Sequence, residues 1–157
     1  MAHPHAIDEL IAEVGTFAGL DGAYLELIAG CGSTTGFDAG SYPFREGDPA
    51  DSFYLIRHGR IALELFAPAR GQMIVSTLGP GEIVGWSWLF PPYRWHFDGR
   101  ATEPVRALVF DGACLRNKCE ADHTLGYELM KRFASSMLAR LQTTRVQLLD
   151  VYGKPDV

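Results

Sequence analysis

The sequence lacks a surplus of positive charge. It has 14 Lys and Arg against 19 Asp and Glu, a formal net charge of -5 over 157 residues. A free-standing nucleic-acid binder more often carries a basic excess for phosphate backbones, so no nucleic acid is expected as a partner of this chain alone. Cysteine is scarce: Cys31, Cys114 and Cys119. An odd count without a secretory signal argues against a disulfide framework, and leaves structural or idle thiols as the expectation. Cys114 and Cys119 lack the tighter spacing of a zinc pair, and an iron–sulfur cluster needs more cysteines. No apolar run approaches a membrane span. The polar start, Met1 to His5, has no apolar signal-peptide core, so the expected compartment is the cytoplasm. Walker loops, nucleophile elbows and metal-hydrolase helices are missing too, and no enzyme class is indicated.

What is present is enough for one globular domain spanning residues 1–157, with 47% hydrophobic and 21% charged residues. From Ala6 to Gly30 the pattern is helical. Ile7, Leu10, Ile11 and Val14 make one stripe, and Leu20 to Ala29 a second, with Asp21 as N-cap and Gly30 as stop. From Gly32 to Asp111 short alternating runs are punctuated by Gly and Pro, which predicts an antiparallel double-sheet β-roll. From Asp122 to Val151 the pattern is helical again. Met130, Ala134, Met137, Leu141, Thr144, Leu148 and Val151 follow alternating steps of four and three, the seam of a coiled coil. Leu129, Phe133, Ser136 and Arg140 form a parallel stripe. A helix with two such faces predicts one face for its own domain and one for a second copy; a helix packed within one monomer is the alternative. The fold class is α+β.

Two segments can now be set side by side: Gly40-Ser-Tyr-Pro-Phe-Arg-Glu-Gly-Asp-Pro-Ala-Asp-Ser-Phe-Tyr-Leu-Ile-Arg-His-Gly-Arg-Ile-Ala-Leu, and Leu78-Gly-Pro-Gly-Glu-Ile-Val-Gly. Together they resemble the cyclic-nucleotide-binding domain family, specifically its Crp/Fnr-type bacterial regulators. The pattern is a Gly-Asp turn, an F-Y-x-I strand, a Gly turn and a G-E-x-x-G entry to the ligand cassette. Ala139-Arg-Leu-Gln-Thr-Thr resembles the family's dimerisation helix. The likeness runs from about residue 15 to 151. Gly47, Gly59, Gly81 and Gly85 sit where tight turns need positive φ or close backbone approach.

The resemblance implies a cyclic nucleotide ligand. Gly85 would open a short helix whose N–H groups receive the cyclic phosphate. Gly81 and Glu82 belong to the turn before it, with Glu82 serving the loop. Departures follow. Where the family places a ribose-binding Glu, this chain has Trp86. Where it prefers a small residue, Trp88 stands. The phosphate-binding Arg position, counted back from Ala101, falls on Trp95, with Arg94 beside it and Arg100 already at the strand entrance. Ser87 is left as a hydroxyl donor or an N-cap. Thr143 and Thr144 match the part of the helix that reaches the base, though Thr144 also lies on the seam.

Losing a ribose acceptor and a phosphate guanidinium costs about 1–3 kcal/mol each, roughly three decades of affinity together. The aromatic run Trp86 to Phe97 then allows three outcomes. The pocket is filled by its own side chains, recut for a flatter and more apolar small molecule, or still an ordinary nucleotide site. His96 offers a haem ligand, an outcome ranked below a plain loop histidine, and no resident cofactor is expected. The expected function is a non-enzymatic sensor module, a homodimer through its last helix, with lost or altered nucleotide specificity. The alternative is a Crp/Fnr-type transcription regulator whose DNA-binding domain is missing from this chain.

Overall fold

Local rules set the first helices. α1 spans Pro4–Ala12 and α2 spans Gly22–Ala29. Asp21 caps α2, its side chain accepting the Ala23 N–H at 2.8 Å. Ile7 and Ile11 are buried on one side of α1, four residues apart as helical spacing requires. Val14 falls beyond α1, in the turns that lead to α2. The computed structural model describes residues 4–153.

Seven strands follow among the described residues: β1 Gly32–Phe37, β2 Ser52–His58, β3 Ile61–Ala67, β4 Gly71–Leu78, β5 Ile83–Val84, β6 Asp98–Ala101 and β7 Val105–Asp111. They form two antiparallel sheets, ordered β1-β7-β2-β5 and β4-β3-β6. This is the double-sheet roll the alternating pattern predicts. Successive strand residues point to opposite faces. Ile56, Val84, Val105 and Ala107 of one sheet therefore meet Ile61, Leu78 and Ala101 of the other, in one buried cluster. The opposite face of the first sheet is apolar as well. Phe53 and Phe110 stack there at 4.9 Å, and Phe17 approaches Phe110 at 6.4 Å.

Gly59 shows why one turn has no side chain. Its φ is +86°, and a Cβ there would run into the Pro104 carbonyl.

One expectation is overturned. Cys31 and Cys114 are joined in a disulfide, with Cα atoms 5.7 Å apart. A cysteine count could not see it, because the pairing comes from topology. β1 and β7 pair with Gly32 opposite Phe110, and the Asp111 N–H donates to the Cys31 carbonyl at 2.9 Å. Helix α3, Gly112–Ala121, begins at once, so Cys114 lies within its first turn, beside Cys31. Cys119 is the remaining free thiol among the described residues, and burial pushes its pKa up, aided by Glu120 and Asp122.

The chain divides into two compact units, one reaching Lys118 and the other starting at Cys119. The second is dominated by α4, His123–Gly153. Asp122 caps it, accepting the N–H groups of Thr124 and Leu125 at 3.1 Å. Its buried positions Leu125, Leu129 and Phe133 repeat every four residues. Residues 141–151 are exposed throughout. No described helix is long and apolar enough to cross a membrane.

Candidate functional site

The ligand cassette that the sequence resemblance implies begins at Gly85. Gly85 follows β5 with φ +109°. A Cβ there would lie 2.6 Å from the Trp95 ring, so the bare backbone is what admits the indole. Trp95 is fixed from outside. Its N–H donates to the Asp48 carbonyl at 3.0 Å, and its own carbonyl accepts the Gly47 N–H at 2.8 Å. The side chain therefore points inward, is buried, and stacks on Phe44 with ring centroids 3.6 Å apart. Tyr54 lies parallel at 6.4 Å, and Phe37 meets Tyr54 edge-on at 5.5 Å. Burial raises the Tyr54 pKa.

A second glycine makes this stack possible. Any Cβ on Gly99 would collide with the Phe44 ring. Gly85 and Gly99 thus make room for Trp95 and Phe44. The guanidinium position the family resemblance implies is occupied by an indole packed in the core.

The segment after Gly85 forms turns rather than the short helix the resemblance implies. The Leu89 N–H donates to the Trp86 carbonyl at 3.1 Å, and the Tyr93 N–H to that of Phe90 at 2.9 Å. Pro91 and Pro92 explain the difference: each lacks an N–H, and each pushes the preceding residue away from helical backbone. The run of free N–H donors expected for an anion is therefore not assembled as a helix start, and Ser87 has no helix to cap.

The other named residues scatter. Trp88 is fully buried, but it stacks on Phe53 at 4.9 Å. Phe53 and Tyr54 are neighbours on β2 with opposite directions, so Trp88 and Trp95 serve opposite faces of that strand. Trp86 and Ser87 are half-buried. Glu82 is exposed and accepts the Gly79 N–H at 3.4 Å across the turn that contains Gly81. Thr143 and Thr144, in the second unit, are exposed and donate to the carbonyls of Ala139 and Arg140 at 3.1 and 2.9 Å. Of the seam, Met130 and Met137 are half-buried, while Ala134, Leu141, Thr144, Leu148 and Val151 are exposed.

The arginines nearest the cassette already have protein partners. Arg94 is exposed and donates to the Gly47 carbonyl at 3.2 Å. Arg100 grips the buried Glu64 with two nitrogens, Nη2 to Oε2 at 3.0 Å and Nε to Oε2 at 3.1 Å. Arg116 donates to the Trp88 carbonyl and covers the Tyr93 ring at 4.3 Å. Arg45 approaches Asp98 at 3.4 Å. Asp98 also accepts the Glu46 N–H at 2.7 Å and the Gln72 amide at 2.8 Å. Burial pushes its carboxyl up, but these donors together outweigh that and lower its pKa.

His96 is exposed, and no group of three His, Cys, Asp or Glu suited to a metal occurs among the described residues. Sequence reasoning missed Phe44, Gly99 and the Glu64–Arg100 pair. The signal for Phe44 was thin: one aromatic before the Arg45-Glu46-Gly47 turn.

Comparison with known proteins agrees with this architecture. The profile of the cyclic nucleotide-binding domain matches residues 35–122. A CRP-like cAMP-activated global transcriptional regulator of Mycobacterium tuberculosis is 25% identical over 145 residues, covering 92% of this chain and 63% of that protein. The chain thus spans less than two thirds of that relative's length. A protein of Geobacter metallireducens GS-15 described as a cyclic nucleotide-binding protein superposes with TM-score 0.76 at 33% identity, over 90% of this chain and 99% of the other. The sensor domain of the transcriptional regulator DNR from Pseudomonas aeruginosa superposes with TM-score 0.69 at 18% identity, over 100% and 98%.

Proposed function

The chain belongs to the cyclic nucleotide-binding domain family, and from that premise we propose that it is a regulatory sensor module whose inter-sheet site has given up ordinary cyclic-nucleotide binding. The observation that carries this is the Trp95 indole, buried and stacked at 3.6 Å on Phe44 where a ligand would lie. Of the three outcomes the sequence allows, the self-filled pocket has this support. A nucleotide would have to expel an aromatic stack, then find no ribose carboxylate at Trp86 and no guanidinium at position 95.

Calorimetry with cyclic AMP and cyclic GMP tests it. The expected result is no saturable heat in the micromolar range. Low-micromolar binding that Arg94→Ala abolishes would overturn the proposal, because it would mean a rebuilt phosphate contact. The pair Trp86→Glu with Trp95→Arg is the converse experiment, and restored binding is expected from it. A purified protein that carries a small molecule, including a haem seen in its visible spectrum, would favour a recut pocket instead.

The same proposal includes a homodimer through α4. The exposed seam residues Leu141, Leu148 and Val151 support it, since such a stripe is covered in a coiled coil. Sedimentation of wild type against Met137→Glu tests this part, and dissociation of the variant is the expected result.

A second reading has one observation in its favour. The mycobacterial relative is a transcriptional regulator, and this chain aligns with 63% of it. The module would then act within a longer regulator whose DNA-binding part lies outside these residues. For the present chain alone we expect no sequence-selective gel shift; a salt-sensitive, selective one would reverse that.

A further inference from the structure

The Cys31–Cys114 disulfide sits where three segments meet. Cys31 follows directly on α2 and its cap, Gly30. Cys114 lies in the first turn of α3. That helix also holds the segment after Gly85. Arg116, two residues past Cys114, donates to the Trp88 carbonyl and covers the Tyr93 ring at 4.3 Å. Gly112, at the start of α3, packs so closely that an added Cβ would lie 2.9 Å from that of Trp88. The start of α3 is therefore fastened both to the end of α2 and to residues 88–93.

The two sulfurs are unequally placed. Cys31 is buried and Cys114 half-buried, so an incoming thiolate has its access at Cys114. Lys118, one turn after Cys114, donates to the Leu27 carbonyl at 2.6 Å, and its ammonium stands beside Gly30. A cation close to a cysteine favours the thiolate that must leave when the bond opens.

We propose that Cys31–Cys114 is a reversible redox site, and that its state sets how α3 holds residues 88–93. The reductant is a low-molecular-weight thiol of the glutathione kind. Its thiolate attacks the Cys114 sulfur. The S–S bond breaks, a mixed disulfide forms at Cys114, and Cys31 leaves as a thiolate that takes up a proton. A second thiolate attacks the reductant's sulfur in that mixed disulfide, and Cys114 is released and protonated. Two small thiols are oxidised to one disulfide, and the protein gains two electrons and two protons. The oxidised small disulfide runs the same steps backwards. Once the bond is open, only noncovalent contacts hold the start of α3, and residues 88–93 lose a fixed support. This input does not depend on whether the inter-sheet site takes a nucleotide, because Trp88 packs on Phe53, on the face of β2 opposite Trp95.

The full chain, equilibrated without denaturant in buffers of reduced and oxidised glutathione, tests the chemistry. Cys119→Ser removes the third cysteine, so that only the pair is counted. Thiols are trapped with a maleimide under denaturing conditions and read by mass. Reversible passage between unlabelled and doubly labelled chain is expected as the buffer changes. Hydrogen exchange read by mass spectrometry tests the consequence. Amides of residues 86–93 and of the first turn of α3 should exchange at least about tenfold faster after reduction, while β7, an inner strand of its sheet, stays protected. Cys31→Ser should show the fast pattern at every glutathione ratio. Three results would overturn the proposal. The first is a pair that stays oxidised in excess reduced glutathione. The second is reduction that unfolds the whole chain, β7 included, because a switch needs two folded states. The third is a reduced, folded chain whose exchange at residues 86–93 is unchanged.

Discussion

Set the inter-sheet interior beside the last turns of α4. In the first, the sequence departs from its family at position 95, and the departure is buried. Trp95 replaces an expected guanidinium and stacks on Phe44. In the second, the heptad pattern is regular, and its apolar residues are open: Leu148 is 55% exposed and Val151 72%. Large apolar side chains are absorbed by the chain's own packing in one region and left exposed in the other. Large side chains in a family's ligand cavity are therefore read first as core, and a regular stripe on a helix as a surface awaiting a partner. Substitutions in the two regions should differ accordingly.

The largest effect is expected at Trp95. Trp95→Ala removes a buried indole and leaves a void flanked by Phe44 and Tyr54, at a cost of about 3–5 kcal/mol. Urea unfolding followed by circular dichroism reads it. A cost near zero would mean that the stack contributes little, and would return the cavity to the ligand. Cys31→Ser comes next. The disulfide closes a separation of 83 residues, and its loss should cost about 2–4 kcal/mol. Dithiothreitol should lower the Tm of wild type and leave that of Cys31→Ser unchanged. An oxidised pair in cells would also count against the cytoplasmic compartment expected from sequence, where thiols are kept reduced.

The double-sheet fold was legible because strand alternation and turn glycines are local signals. Gly59 and Gly85 mark places where backbone, not side chain, must fit, and both have positive φ. Trp86, Trp88 and Trp95 were legible as departures, but not as a group. Spacing alone could not show that Trp88 leaves by the opposite face of β2, because turns replace the helix that would have ordered the segment. The Cys31–Cys114 bond and the Glu64–Arg100 pair were hidden for a common reason. Each joins residues far apart in sequence that only strand register brings together: β1 with β7, and β3 with β6.

A smaller effect is expected from a polar cluster that links the two edge strands of the second sheet, Asp98 on β6 and Gln72 on β4. Asp98 accepts from the Glu46 N–H and Gln72, with Arg45 nearby, and its folded pKa is lowered. A carboxylate whose folded pKa lies below its unfolded value stabilises the fold above the unfolded pKa. That contribution fades as pH falls through the folded pKa. The window lies at and below the ordinary value of 3.8. Asp98→Asn should cost about 1.5 kcal/mol at neutral pH and flatten the acid limb of the stability curve. An unchanged acid limb would mean that Asp98 is held no better folded than unfolded.

The smallest effect on folding should come from α4, and it is the one that sharpens the comparison most. Leu148 is as apolar as any core residue, yet it is 55% exposed, and its neighbours from residue 141 to 151 are exposed too. Leu148→Gln removes little buried surface within one chain. Dilute protein should therefore unfold within about 0.5 kcal/mol of wild type. At high concentration the same substitution should weaken self-association, because a seam residue loses its contact across the pair. Two curves decide the matter: urea unfolding at low concentration and sedimentation at high concentration. A large loss in the first would mean that the last turns are buried by their own chain, and the contrast with Trp95 would collapse. No change in the second would remove Leu148 from any interface, and leave its exposure on α4 without a physical account.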